Sequence, residues 1–347
     1  VKILSDHAAD LQVSDTSNAD FSVNPSLKLN APNGGETWYV NDSTRQITWS
    51  VYGSIASVHC WYQKDGGAWT RITPAGGVTA NQGGGAGSYT WPSIPDIISN
   101  NVYARVAKYV DDITPGTPSD DSDATFNVKG KLQVIAPNGS ENWVVGTAQT
   151  VSWTVKGTLG DIRVKFAQNG VNFDLPGVIN ATVPASNLSF TWTIPDNLTS
   201  AGKIRIELIS DPAAVTDDSD NAFNIKGALT LTAPNGGQTW TISSNQNITW
   251  TSAGTIGNLE LRYSTDGGST FPPGNTIATG LAQNSSPYAW TVADAIDIDI
   301  KVRVHKVGDE TLCDASDANF SIKGSLTLTA PNGTETWSVG TLQNITW

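Results

Sequence analysis

The sequence predicts an all-β protein made of two-sheet sandwiches strung in tandem, and three observations carry that prediction. Gly is abundant (33 of 347 residues), only 15% of residues are charged, and continuous helical periodicity is hard to find, so short strands joined by polar turns are expected. Four stretches share the same sparse residues, APNGGETW, APNGSENW, APNGGQTW and APNGTETW, with Pro32, Pro137, Pro234 and Pro331 spaced by 105, 97 and 97. Within each copy apolar residues alternate with period two, which puts one strand face into a core and leaves the other wet.

Two further markers keep the same register. Trp49, Trp153, Trp250 and Trp347 end the segments QITW, TVSW, NITW and NITW, and Phe21, Phe126, Phe223 and Phe320 open FSVNP, FNVKG, FNIKG and FSIKG. A period near 97 is too long for a solenoid unit that needs its neighbours to form a core, and it matches an independent immunoglobulin-like sandwich of about seven strands. Boundaries fall in the short Lys-Gly links, giving complete repeats at 25–130, 131–227 and 228–324. Residues 1–24 match the closing strands of a preceding copy and 325–347 the opening strands of a following one, so the natural protein is expected to extend beyond both ends.

The strands follow in order. Ile47, Trp49 and Val51 share an inward face, as do Val58, Cys60 and Tyr62 in the next strand, where later copies carry Ile162, Val164, Phe166 and Leu259, Leu261, Tyr263. Cys60 therefore reads as a small core residue. Tyr89 with Trp91, Phe190 with Trp192 and Tyr288 with Trp290 form another inward pair ahead of the breakers IPD, IPD and VAD. The three recurrent tryptophans of each complete repeat read as core rather than as sugar platforms, each burying roughly 200 Å² and so contributing about 5 kcal/mol before entropy is charged.

The set L-x-L-x-x-P-N-G-G-E-x-W, I-T-W, a YSxDGGxTF-type turn, YxWxxPD and DxSDxxF resembles the Ig-like repeats of large bacterial and archaeal surface proteins. It is also similar to the Ig-like domain of the yeast cell-wall-synthesis and Ser/Thr-rich GPI-anchored family. The resemblance covers essentially the whole chain and implies stalk, adhesive or cell-envelope modules, or accessory domains beside a catalytic domain. Two turns depart from the pattern, AQNGVNF in the second copy and VAD in the third.

Charge narrows the function classes. With 20 Lys and Arg against 32 Asp and Glu the formal net charge is −12, and no stretch clusters basic with aromatic residues, which excludes a nucleic-acid binder. An anionic membrane surface would repel the chain, and no apolar run approaches the roughly 18 residues of a membrane span. Cys60 and Cys313 fall in different repeats at non-equivalent positions, so no disulfide within a domain is expected.

Candidate sites are few. His7, His59 and His305 occupy different positions of different repeats, build no shared metal site or catalytic triad, and read as strand-surface residues. Gly83, Gly84 and Gly85 lack a following GK[ST] and a helix, so they read as a loop insertion rather than a phosphate cradle. Asp120, Asp217 and Asp314 recur six residues before the marker Phe, and Asp123, Asp220 and Asp317 three before it. Such a turn either binds calcium through its carboxylates or is an Asx or Ser turn bonded to its own backbone, the reading favoured by the absence of EF-hand-like spacing. No other cofactor is expected. Asp65 and Asp266 shape Asp-box-like hairpins, and ten Asn-x-Ser/Thr sequons occur, among them Asn41, Asn187, Asn197 and Asn344.

Alternation that buries Cys60 turns Trp61 outward, where the other copies carry Lys165 and Arg262. Trp61 then either contacts a glycan or a neighbouring subunit, or lies over a loop of its own domain. The expected protein is a non-enzymatic, extracellular, cell-surface array forming a stalk, sheath or filament. Its expected partners are copies of itself or other surface proteins or glycans. The alternative is a carbohydrate-binding accessory region of a larger secreted hydrolase.

Overall fold

The computed structural model describes residues 1–4 and 14–347, and it is a tandem array of Ig-like β-sandwiches with no helix beyond two three-residue 3-10 turns among those residues. His7 lies outside the described residues. No helix among them is long and apolar enough to cross a membrane.

The first sandwich sets the pattern. Its small sheet places Gln46–Tyr52 between Ser26–Ala31 and Ala86–Thr90, all antiparallel. Its large sheet runs in the order Thr37–Tyr39, Phe126–Lys129, Ser99–Lys108, Ser57–Lys64, Thr70–Arg71. Two short strands add to it, Ser119–Asp121 beside Ser99–Lys108 and Val78–Thr79 beside Ser57–Lys64. Every pairing is antiparallel except one: Thr37–Tyr39 runs parallel to the last strand, Phe126–Lys129. The same parallel pair closes the second sandwich, Asn142–Val144 on Phe223–Lys226, and the third, Thr239–Thr241 on Phe320–Lys323.

Three separate cores result, running from Leu27 to Val128, from Leu132 to Ile225 and from Leu229 to Ile322. Each is centred on one aromatic trio. Trp38 meets Trp91 edge-on at 6.2 Å and Phe126 at 5.1 Å; Trp143 meets Trp192 at 6.0 Å and Phe223 at 4.9 Å; Trp240 meets Trp290 at 5.9 Å and Phe320 at 4.8 Å. Edge-to-face packing at these separations adds about 0.5–1.5 kcal/mol per pair beyond area burial. The third tryptophan of each copy solves its polar end the same way, since an indole N–H buried without an acceptor is costly. Trp49 donates to the Ala80 carbonyl at 2.8 Å, Trp153 to Ala185 at 2.8 Å and Trp250 to Gln283 at 3.0 Å.

Cys60 is fully buried in the first core, and burial pushes its thiol far above the ordinary cysteine range; Cys313 is exposed, and both are free. The outer strands at either end of the array are sparser. Lys2–Leu4 pairs with Ser14–Thr16 and is exposed, Phe21 is exposed, and residues 325–347 make one isolated bridge, Ala330 to Thr346.

Candidate functional site

The acidic turns are tied to the APNG motif of the same repeat, a contact that spans the whole domain. Asp120 Oδ2 accepts the Leu29 N–H at 2.8 Å, Asp217 that of Val134 at 2.8 Å and Asp314 that of Leu231 at 2.7 Å, so each carboxylate reaches across to the first strand of the other sheet. Burial holds the Asp217 carboxyl above its ordinary value. The buried Ser219 and Ser316 hydroxyls donate to the carbonyls of Pro137 and Pro234, both at 2.7 Å. Asn33 and Asp123 then exchange two bonds, Asn33 Nδ2 donating to Asp123 at 2.7 Å and the Asp123 N–H to Asn33 Oδ1 at 2.8 Å. Asn138 with Asp220 and Asn235 with Asp317 repeat this pairing.

The glycine after that Asn is required by contact. A Cβ on Gly34, Gly139 or Gly236 would stand 2.7, 2.5 or 2.6 Å from the Cβ of Ala124, Asn221 or Ala318, with φ between +123° and +133°. Thus Asp120, Asp123, Asp217, Asp220, Asp314 and Asp317 face protein donors. No group of three or more His, Cys, Asp or Glu among the described residues is arranged to hold a metal ion.

The outer face of the large sheet carries a second recurring cluster of charged side chains. In every repeat an Arg at the middle of the long strand lies under the aromatic that closes the neighbouring hairpin: Arg105 under Trp69 at 4.1 Å, Arg205 under Phe173 at 4.1 Å, Arg303 under Phe271 at 4.8 Å. Arg105 and Arg205 also fork onto Asp121 and Asp218, and the latter bond holds the Arg205 guanidinium above its ordinary pKa. Sequence reasoning missed this stack. The signal was present, an Arg in each long strand and a Trp or Phe ending each DGG-type turn, but the two lie far apart in the chain.

Around the stack the copies diverge. In the second, Glu207 is buried and takes Arg163 and Lys165, each at 3.1 Å. In the third, Glu260 takes Arg262 at 2.5 Å while Glu310 takes Arg262 at 2.9 Å and Arg303 at 3.0 Å. His305 sits beside them, 1% exposed, with Nδ1 lacking a partner. In the first, His59 is also 1% exposed and bridges Thr73 (2.7 Å at Nδ1) and Asp112 (3.2 Å at Nε2).

Two expectations are corrected on this face. His59 and His305 are not strand-surface residues, and burial pushes both imidazoles below the usual histidine range. Trp61 turns away from the core but is not exposed to solvent: it is 2% exposed, with the His59 ring edge-on at 5.8 Å and its own Nε1 unpartnered. Trp61 stands between Arg105 and Arg71 of the neighbouring strands, and the stretch between Ser99–Lys108 and Ser119–Asp121 folds back onto the adjacent His59, with the Tyr109 ring edge-on to it at 5.1 Å. Asp112 pins that stretch there by taking His59, Arg71 at 2.8 Å and the Gly76 N–H at 2.9 Å.

Hydroxyl, imidazole and carboxylate in the order Thr73, His59, Asp112 have the layout of a nucleophile relay. Thr73, however, is buried and already accepts the Cys60 N–H at 3.2 Å, so no acyl group has an approach to its oxygen. The arrangement is a tie between strands.

The hairpins are shaped by their carboxylates. Asp266 accepts from the Ser264 hydroxyl at 2.5 Å and from the N–H and hydroxyl of Thr270 at 2.9 and 2.6 Å, which lowers its pKa to about 2. Asp65, with φ +52°, accepts from Ser99 at 2.6 Å. Asn169 does the same work in AQNGVNF through the N–H groups of Val171 and Asn172. Gly83 to Gly85 form a tight turn in which the Gly83 and Gly85 N–H groups donate to Asn81 Oδ1. Asn41, Asn187 and Asn344 are exposed and Asn197 is half-buried.

No protein-family model matches the sequence, and no curated protein matches it. Among solved structures the chain is similar to the I-band fragment I67–I69 of titin, at 9% identity over 88% of this chain and 100% of that one, with a TM-score of 0.26. It is similar to the N-terminal four Ig domains of Dscam1 isoform 6.9 at 9% identity, covering 88% and 74%, TM-score 0.27. A third likeness is to the fibronectin(III)-like modules of CbhA from Clostridium thermocellum, 16% identical, covering 56% and 94%, TM-score 0.20. Scores this low carry no argument about activity or partner, and the sandwich class rests on the sheets themselves.

Proposed function

We propose that the chain is a structural or adhesive array working outside the cell, a stalk, sheath or filament of the kind built by the Ig-like surface repeats that its motifs resemble. The observation that carries this reading is the destination of its polar groups. In all three repeats the recurring Asp, Asn and Arg positions are occupied in joining one strand to another, and what the copies share is a framework rather than a reactive centre. Low charge density and Lys-Gly links without slack suit a chain whose product is reach. The partners in this reading are copies of itself, other surface proteins or glycans. The carbohydrate-binding alternative loses the aromatic it drew on, because Trp61 is covered by its own repeat.

The reading is tested on intact source cells with an antibody to this chain, alongside proteolytic shaving. Labelling and loss of the band without permeabilisation are expected; signal only after permeabilisation overturns the proposal. Calcium enters as a weak ligand at most, since it would have to displace the bonds at Asp314 and Asp317. Titration calorimetry is expected to give no affinity tighter than about 10⁻⁴ M, and submicromolar binding would reverse the assignment of these turns.

A further inference from the structure

Both junctions between complete repeats are made by the same three-part contact. The Asp of the IPD turn in one repeat receives the backbone N–H and the hydroxyl of a Thr in the next. Thr158 N–H and Oγ1 donate to Asp96 at 2.7 and 2.5 Å; Thr255 N–H and Oγ1 donate to Asp196 at 2.9 and 2.5 Å. The residue before the Thr is glycine in each case, with φ +83° at Gly157 and +77° at Gly254. A Cβ on Gly157 would stand 3.0 Å from both Val40 and Ile98 of the first repeat, and one on Gly254 would stand 3.1 Å from Val145 and 3.3 Å from Leu198 of the second. The residue after the Thr fills the link itself: Leu159 lies where a Cβ on Gly130 would be, and Ile256 where one on Gly227 would be.

The contact is therefore a socket and a corner. The socket is an exposed Asp flanked by two aliphatic side chains, and the corner is Gly-Thr-Leu or Gly-Thr-Ile, four to six residues past the ITW tryptophan. A carboxylate that accepts both an N–H and a hydroxyl from one residue fixes direction as well as distance. The same groups recur at the same positions of both junctions.

We propose that the third repeat carries an unfilled copy of this socket, made by Ile242, Asp294 and Ile296, and that its occupant is the Gly-[Ser/Thr]-[Ile/Leu] corner of a repeat continuing from the strands that residues 325–347 open. These residues align with Val40, Asp96 and Ile98 and with Val145, Asp196 and Leu198. The difference lies in cover. The Asp is exposed in all three repeats, but Ile98 and Leu198 are half-buried against the repeat that follows, whereas Ile296 is 60% exposed. The first repeat shows the matching free corner, Gly53, Ser54 and Ile55, with φ +81° at Gly53 and Ser54 exposed. Serine there supplies the same N–H and hydroxyl pair. This inference stands apart from where the protein works: the junction is a property of the chain in any setting.

The test is a set of spin-label distances across each junction in the full chain, with Cys60→Val and Cys313→Ser removing the native thiols. Narrow distributions are expected across both existing junctions. Asp196→Ala and Thr255→Ala are each expected to broaden the second by at least twofold, and Thr255→Ser to keep it narrow, with the melting of each repeat unchanged. The first junction carries an additional Lys129–Asp211 pair and is expected to broaden less on Asp96→Ala. For the open socket, the chain is extended after Trp347 by a copy of residues 251–324, which completes a fourth repeat. A narrow third junction that Asp294→Ala broadens supports the proposal. A broad third junction, or one indifferent to Asp294→Ala, overturns it, as does a second junction that Asp196→Ala leaves narrow.

Discussion

The two faces of the large sheet differ in how they repeat. On the inner face all three sandwiches use one solution, a Trp, a second Trp edge-on to it and a Phe, with centroid separations that agree within a few tenths of an ångström. On the outer face the positions facing each other across the central strands hold His59 and Ala107 in the first repeat, Arg163 and Glu207 in the second, Glu260 and His305 in the third. A close-packed core accepts few shapes, because a misfit of one methylene is felt. A covered polar layer asks only that each charge or donor find a complement, and several sets of residues meet that demand.

The comparison breaks most visibly at the core. Trp153→Ala is expected to destabilise the second repeat by ~3–5 kcal/mol, enough to unfold it while its neighbours persist. Hydrogen exchange read repeat by repeat checks this, and uniform protection in the variant would refute the core assignment. Next comes a transplant between outer faces. Trp61→Lys installs the residue of the second repeat without its carboxylate partner, since position 107 is Ala where the second repeat has Glu207. A loss of about 3 kcal/mol is expected. Adding Ala107→Glu should recover part of it; urea denaturation of both variants decides whether complementarity or the indole itself holds this layer.

A smaller effect is expected at the tie common to all copies. Asn138→Ala removes two hydrogen bonds to Asp220 at a solvent-exposed site and should cost about 1 kcal/mol, read as a shifted midpoint for the second repeat alone. The smallest is a pH effect confined to two repeats. An unfolded His takes its proton near 6.5, and buried His59 and His305 take theirs lower. The stability they support is thus present above that value and is lost as the pH falls below it. Exchange protection of Ser57–Lys64 and Asp297–Lys306, corrected for intrinsic rates, should drop between pH 7.5 and 5.5 while that of Asp161–Ala167 does not.

The sandwich class was legible because aromatic markers recur at fixed spacing and strand alternation is local. Whether a side chain such as Trp61 meets water was not legible, for alternation assigns a face and says nothing of what packs over that face once the chain is folded. The same limit applied to His59 and His305. The acidic turn was intermediate: the positions of Asp217, Ser219 and Asp220 stood out, but their partners Val134, Pro137 and Asn138 lie 82 or 83 residues away in another motif. Two recurring signatures that bond to each other are read separately until the chain is folded.

The parallel pairing of Thr37–Tyr39 with Phe126–Lys129 has a mechanical consequence. When a chain is pulled by its ends, tension enters each sandwich through its first strands and leaves through its last. Because these two strands point the same way, the pull drags them in opposite directions along a shared ladder. Its hydrogen bonds are then loaded together in shear, where an antiparallel pair pulled from the same side would open one bond at a time. The two strands of this short ladder also carry Trp38 and Phe126, so sliding them apart would part the aromatic trio as well.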